Sequence, residues 1–384
     1  MQKRYKKTIT AQANLFASGQ SYKETILNIL QMISKNDRYG AQRIFLDQVA
    51  TLHDMGHNVT VVTRGTEGYV TDSVRGMGLD CHGITMKGIS DVLFLWRLMR
   101  KNKIDVIHTT LDRADYLGIV LSWLTRRPVV STMMVPRCHV GYRFMDRVIA
   151  LSNKQRSLLG DKNIPRRKTL VIRPGIDVQR FSRPDAKKRE VWKATLHIDR
   201  YNSVFCHISS LLTRKAHFVS LELVSECKKR GERPLLVFIG DPVHGEYYES
   251  LLRRSAELGI RDNIHFTGWT SEVPEILSLS HFTVLPSENE ALGVVLMEGM
   301  AAGTPIIARE GEGGAELIEE YATGFLYRPG AGVPALADQV VDLLRDPVRF
   351  GELSNKCRKI AEKEFSLSSF GERLVEEVYQ KACS

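Results

Sequence analysis

The chain has 384 residues, 43% hydrophobic and 8% aromatic, a length that one core rarely serves and a composition ordinary for soluble α/β proteins, so two domains are expected. Six scattered cysteines (Cys81, Cys138, Cys206, Cys227, Cys357, Cys383) offer no C-x-x-C pair and no metal-ligand spacing, which excludes a disulfide framework and a zinc site and leaves them as reduced, mostly core residues. The formal charge of +10 is unevenly placed: residues 1–190 hold 33 Lys and Arg against 16 Asp and Glu, a net +17, whereas residues 191–384 hold 21 against 28, a net −7. The first half is therefore the one expected to meet polyanions or an anionic membrane surface, unless its charge only solvates it.

Residues 1–24 carry Lys3, Arg4, Lys6 and Lys7 but no apolar stretch that can serve as the core of a secretion signal, and they read as an extension. From Ile26 onward, short β-branched runs alternate with amphipathic stretches, the pattern of parallel strands joined by helices. Strands are predicted at Ile26–Ile33, Asn58–Thr63, Ile104–Thr109, Pro128–Thr132, Arg147–Leu151 and Leu170–Ile172. The helix after the first strand places Ala41, Ile44, Phe45, Val49, Leu52 and Met55 on one face, and Gly56 stops it.

Ser90–Lys103 reads as a basic amphipathic helix, with Val92, Leu93, Leu95, Trp96 and Met99 on its apolar face and Arg97, Arg100, Lys101 and Lys103 near its end. Such a helix either lies in a bilayer interface, with Trp123, Arg126, Arg127, Arg137 and Arg143 as neighbours, or packs on the sheet. The longest apolar run, Tyr116–Leu124, is about half of the roughly 20 residues that a spanning helix needs. A linker containing Pro174, Gly175 and Pro184 is expected over Arg173–Asp185. A second strand series follows at Ser203–Ile208, Leu235–Ile239, Ile264–Thr267, Phe282–Pro286 and Ile306–Ala308. Open parallel sheets bind ligands beyond the carboxyl ends of their strands, so two such domains are expected to face each other across a cleft, with function in the loops that follow strands.

The most informative stretch, Phe282–Ala308, reads strand, loop, helix, glycine stop, strand. The loop Ser287–Gly293 delivers backbone N–H groups at a helix N-terminus, where an anion such as a diphosphate is favoured, and Gly293 admits a close approach. Glu290 and Glu298 are eight residues apart in sequence, about 12 Å along the axis if all were helical, so the pair can bracket a diphosphate and accept hydroxyls at its two ends. Ser287-x-x-Glu290 before an apolar run is equally a capping box, with Glu298 then an exposed helix residue.

This segment resembles the E-x7-E motif of retaining glycosyltransferases of the GT-B fold, in particular glycosyltransferase family 4. The likeness runs over nearly the whole chain from Ile26: Arg38-Tyr-Gly-Ala-Gln-Arg43 with Gly56-His57, Val148–Ser152, Arg173-Pro-Gly-Ile-Asp177 with Phe181, Lys215, Gly240, Phe266-Thr-Gly268, and Gly313-Gly314 with Glu316 and Gly324 fall in the family's order. The resemblance implies two Rossmann-like domains, 25–180 for the acceptor and 181–365 for a nucleotide-sugar donor, with residues 366–384 as a helix returning to the first. It implies donor contacts from Gly40, Ser210, Arg214, Lys215, Gly240, Gly268, Trp269, Glu290, Ala291, Leu292, Gly293, Val294 and Glu298, with Glu290, Lys215, Arg214 and His108 as catalytic candidates. It also implies retention of anomeric configuration, no cofactor and no catalytic metal; the absence of an Asp-x-Asp triplet agrees, since cationic side chains and helix dipoles then meet the leaving diphosphate's charge.

Two departures stand out. Ser209-Ser210-Leu211 replaces the family's Gly-Arg-Leu, leaving Arg214 as the substitute guanidinium or as a solvent-facing residue, and Thr132-Met133-Met134 replaces its Thr-x-His, leaving His108 or His139 as stand-ins. A dehydrogenase fits poorly, because Ile33–Gly40 offers one glycine where G-x-G-x-x-G is required. An epimerase or a phosphorylase of similar scaffold, transfer to a small soluble metabolite, and a sugar-nucleotide-binding protein without catalysis are the alternatives to the expected cytoplasmic hexosyltransferase, free or peripheral on the inner face of the cell membrane, acting on a glycan or lipid-linked acceptor, monomeric or homodimeric and binding no nucleic acid.

Overall fold

The computed structural model describes residues 26–383, so the extension read over residues 1–24 lies outside the described residues. The chain divides into one unit formed by residues up to Gly175 together with those from Leu367, and another formed by Ile176–Ser366. The division thus falls at Gly175–Ile176, inside the span expected to be a linker.

Among the described residues the first unit carries seven parallel strands: β1 (Asn28–Ile33), β2 (Asn58–Arg64), β3 (Cys81–Ile84), β4 (Val106–Thr110), β5 (Val129–Met133), β6 (Arg147–Ala150) and β7 (Thr169–Val171), ordered 3-2-1-4-5-6-7. Alternation along β1 serves both faces, as a sheet covered by helices on each side requires. Ile29 and Ile33 pack with Phe45, Leu46, Val49 and Leu52 of the helix Gly40–Asp54, while Leu30 and Met32 pack with Leu95, Leu98 and Met99 of the helix Ile89–Lys101. Gly56 does end the first of these helices: at φ +89° its N–H donates to the His53 carbonyl and the His57 N–H to that of Leu52, the paired bonds of a left-handed helix terminus.

The helix Ile89–Lys101 takes the packing alternative, for Leu95, Leu98 and Met99 are buried, and of its apolar residues Ile89, Leu93 and Phe94 are exposed. The C-terminal helical segment, from Leu367 to Cys383 with a π-turn at Leu374–Tyr379, packs Phe370, Leu374, Val375, Val378 and Tyr379 into the core beside Gly40–Asp54.

That segment corrects the reading of His108 as a catalytic residue at the end of its strand. β4 runs on to Thr110, and His108 is its central residue, fully buried. Its Nδ1 lies 2.6 Å from the Tyr379 hydroxyl and 3.2 Å from Gln48 Nε2, and its Nε2 lies 2.7 Å from Thr132 Oγ1; Gln31 Nε2 donates to the same tyrosine. Burial lowers its pKa to about 3, so the ring is a neutral core group that pins the C-terminal segment.

The second unit has six parallel strands: β8 (Ser203–Ile208), β9 (Pro234–Ile239), β10 (Ile264–Phe266), β11 (Phe282–Leu285), β12 (Ile306–Arg309) and β13 (Gly324–Tyr327), ordered 10-9-8-11-12-13. The strand order reverses between β8 and β11, the switch point at which loops diverge and leave a crevice. All six cysteines are free, with Cys206, Cys227 and Cys357 buried, Cys81 and Cys138 half-buried and Cys383 exposed, so core packing accounts for fewer of them than expected.

Candidate functional site

The loops leaving β8, β11 and β12 are tied together at the switch point. The Glu288 N–H donates to the Arg214 carbonyl at 2.7 Å, the Glu290 N–H to Glu312 Oε2 at 2.9 Å, and the Gly313 N–H to the Glu290 carbonyl at 3.1 Å. Within this frame Lys215 Nζ donates to Glu290 Oε2 at 2.6 Å, with both side chains about 15% exposed (14% and 16%). Two sequence-predicted residues 75 positions apart are thereby in contact.

The loops leaving β9 and β10 close the other side. Gly240 has φ +147°, and a Cβ there would lie 2.1 Å from the Ser209 carbonyl oxygen, so only glycine lets the two loops cross beside Ser210. The Gly240 N–H donates to the Gly268 carbonyl, and the N–H of the half-exposed Trp269 donates to Asp241 Oδ1 at 3.2 Å.

The helix Val294–Ala302 begins four residues after Glu290, with Gly293 as N-cap at φ +81° and no side-chain cap. This removes the capping-box alternative, because Ser287 is too far ahead of the helix to cap it, and it also removes the estimate of a continuous helical rise between Glu290 and Glu298. At φ +81° a side chain at Gly293 would be strained, and its Cβ would also lie 2.7 Å from Leu285 Cδ2, so the protein's own backbone calls for glycine here. The first turn of such a helix leaves N–H groups without intrahelical acceptors, and here they follow the buried Ala291 and Leu292. Glu298, 7% exposed within the helix, is not the surface residue of the alternative reading. Arg214 is exposed, and Gly40 opens the helix after β1 in the other unit.

Beneath the β8 loop lies a relay that sequence reasoning missed. His207 in β8 and His217 at the start of the helix His217–Lys229 stack with ring centroids 4.2 Å apart and planes 5° from parallel. Ser209 Oγ lies 3.1 Å from His207 Nε2 and 3.0 Å from His217 Nε2; His207 Nδ1 meets Ser220 Oγ at 2.9 Å and His217 Nδ1 meets the Tyr247 hydroxyl at 3.3 Å. A neutral imidazole has one donor and one acceptor, so Tyr247–His217–Ser209–His207–Ser220 runs head to tail in either sense with every inner atom satisfied. Both rings are held neutral: burial, then His217 and Lys215, push His207 well down, and burial, then Lys215, lower His217 to about 3. Ser209, read only as part of a lost arginine motif, is thus the keystone of the loop that carries Lys215. The pair of histidines flanking a doubled serine was the signal available.

In the first unit, His139 is likewise engaged: its Nε2 lies 2.8 Å from Asp115, whose carboxylate also accepts the Thr109 and Ser131 hydroxyls, while its ring lies tilted against that of Tyr142 with centroids 3.9 Å apart. Asp112 has Arg137 as partner, so both carboxylates of this Asp112–Asp115–His139 group, which has metal-ligand proximity, are engaged within the unit, while the buried His139 Nδ1 has no hydrogen-bond partner among the described residues.

What the geometry of the second unit offers, then, is a cation paired with a carboxylate at the switch point, in the loops that lead into a helix N-terminus, suited to an anionic ligand that also bears hydroxyls. Comparison with known proteins agrees. Residues 188–364 match the family model described as "Glycosyl transferases group 1", and residues 39–133 the one described as "Glycosyltransferase Family 4". An Escherichia coli UDP-Gal:alpha-D-GlcNAc-diphosphoundecaprenol alpha-1,3-galactosyltransferase is 22% identical over 346 residues, 83% of this chain and 88% of its own. A Mycobacterium tuberculosis GDP-mannose-dependent phosphatidylinositol monomannoside mannosyltransferase is 30% identical over 210 residues, about half of each chain (52% and 53%). The crystal structure of Anabaena HepE in complex with UDP superposes with a TM-score of 0.81 at 19% identity, covering 92% of this chain and all of that one.

The two parallel-sheet units define the GT-B class of fold. Within that class, the chain is a glycosyltransferase.

Proposed function

We propose that the chain is a retaining, metal-independent hexosyltransferase of family 4, taking a sugar from a nucleoside-diphosphate sugar and placing it on a lipid-linked or glycan acceptor in lipopolysaccharide or polysaccharide biosynthesis. The observation that carries this reading is the contact between Lys215 and Glu290 at the switch point of the second sheet. An ammonium has three donors; one engages Glu290, and two are left for diphosphate oxygens. The N–H groups at the start of Val294–Ala302 supply the remaining positive potential.

As the bond from the anomeric carbon to the leaving phosphate oxygen breaks, negative charge grows on the diphosphate, and preorganised positive groups stabilise it there more than in the ground state. The acceptor hydroxyl attacks the same face of the sugar, its proton passes to the departing diphosphate, and configuration is retained. Glu290 accepts hydroxyls of the transferred sugar, and Glu298 those of the ribose. Arg214 and Trp269 supply further contacts to the donor. The names of the E. coli and mycobacterial relatives specify UDP-galactose and GDP-mannose donors and lipid-borne acceptors, and HepE holds UDP; these support both halves of the proposal. The strongly basic first half of the chain fits an acceptor presented at the inner face of a membrane.

Incubation with UDP-, GDP-, ADP- and CMP-sugars, followed by NMR of the product's anomeric signal, tests the reading. It requires turnover of at least one donor with retained configuration; inversion, or inertness toward all four where nucleotide binding is intact, contradicts it.

A further inference from the structure

The outward face of the helix Asp112–Thr125 is apolar where a surface helix should be polar. Its inner residues Ala114, Gly118, Ile119 and Leu121 are buried, and between the exposed Arg113 and Arg126 the outer positions are Tyr116, Val120, Trp123 and Leu124. Val140 and Phe144 of the adjoining turn extend the strip, with Phe144 edge-on to Trp123 at 5.8 Å between centroids. These six side chains are each between 39% and 66% exposed. A helix apolar on both faces belongs in a core, and an exposed strip of this kind marks an interaction surface.

We propose that this strip is an interfacial membrane-docking surface, with Trp123, Leu124 and Phe144 entering the headgroup layer of an anionic leaflet and the surrounding basic side chains contacting lipid phosphates. The proposal rests on the lipid-borne acceptor reading above and assigns it a surface different from the basic stretch Ser90–Lys103. The choice of occupant follows from charge. Arg113, Arg126, Arg143 and Lys162 border the strip, are exposed, and among the described residues form no ion pair; Arg137 and Arg127, nearby, face Asp112 and Asp105. Of the neighbouring acids, Asp146 accepts the Val129 N–H. Two copies of the strip face to face would oppose arginine to arginine, whereas an anionic leaflet complements the rim and takes up the tryptophan and tyrosine at the depth such rings prefer.

The test is co-sedimentation of the full chain with vesicles of phosphatidylcholine alone or mixed with phosphatidylglycerol, at low and high salt, alongside turnover of free nucleotide sugar in solution. The wild type is expected to bind the mixed vesicles, with binding reduced by salt. The triple variant W123S/L124S/F144S should lose on the order of ten-fold or more in partitioning, and R113E/R126E should abolish the preference for anionic lipid, both with donor turnover intact. Undiminished vesicle binding by the triple variant overturns the assigned surface while leaving the transferase reading in place. Equal binding to neutral vesicles overturns it, as does a wild type that ignores vesicles but forms a dimer that the triple variant cannot form. Vesicle binding through this strip without turnover of any donor sinks the transferase reading and leaves the surface standing.

Discussion

Ser209→Ala isolates the relay under the β8 loop. The substitution removes one hydroxyl and strands two buried ring nitrogens, His207 Nε2 and His217 Nε2, each of which now lacks its only close polar partner on that side. A buried polar group left unsatisfied costs about 1–3 kcal/mol, so the expected loss is about 2–6 kcal/mol, and about 2–4 °C per kcal/mol in a unit of this size gives a fall in Tm of at least about 4 °C. The stability of the wild-type unit should respond to pH as well. Both histidines have folded-state pKa values depressed below the unfolded value of about 6.5, His217 to about 3, so the unfolded chain binds more protons as pH falls. Their neutral, buried state therefore favours folding fully above pH 6.5 and progressively less from there down toward pH 3, by about 1.4 kcal/mol per pH unit for each ring. Scanning calorimetry of wild type and variant between pH 5 and 8 reads both effects. A Tm unchanged within a degree at neutral pH, or a wild-type unit that gains stability on acidification, would refute the relay.

Tyr379→Phe should loosen the C-terminal segment, because His108 and Gln31 lose a shared partner inside the first unit, at a cost of about 1–3 kcal/mol seen in chemical denaturation. Gly240→Ala should weaken nucleotide binding by calorimetry, since its Cβ displaces the Ser209–Ser210 backbone; an unchanged affinity would show that the loop crossing plays no part in the site. Transfer activity should persist in EDTA, with leaving-group charge met by Lys215 and the helix N-terminus; complete loss restored by Mg²⁺ or Mn²⁺ contradicts that assignment.

The central strands were legible because alternating β-branched residues pack on two covered faces, and β8 begins and ends at the predicted residues. The edge strands β3 and β13 were not, for Cys81–Ile84 and Gly324–Tyr327 are short, contain glycine and are only half-buried. Lys215 and Glu290 were each legible as candidates and the structure brings them into contact, but spacing alone misjudged the segment that follows: the chain between Glu290 and Gly293 is loop, and the helix starts late at a left-handed glycine. His108 misled because its covering partner, Tyr379, lies 271 residues away and no local pattern announces it. The exposed apolar strip was legible only in part, through Trp123, Arg126 and Arg143. Tyr116–Leu124 reads in sequence only as an apolar run too short to span a membrane, and the structure shows that about half of its apolar residues face outward.

The account turns on Lys215 as the cation that receives the leaving diphosphate. The most direct test is the kcat for donor turnover by Lys215→Ala against wild type, with nucleotide affinity measured in parallel. A loss of about 10²–10³ in kcat with a smaller change in affinity for free nucleotide is expected, the size seen when one preorganised charge-stabilising donor is removed from a transition state. A variant that turns over donor at the wild-type rate would place the chemistry elsewhere.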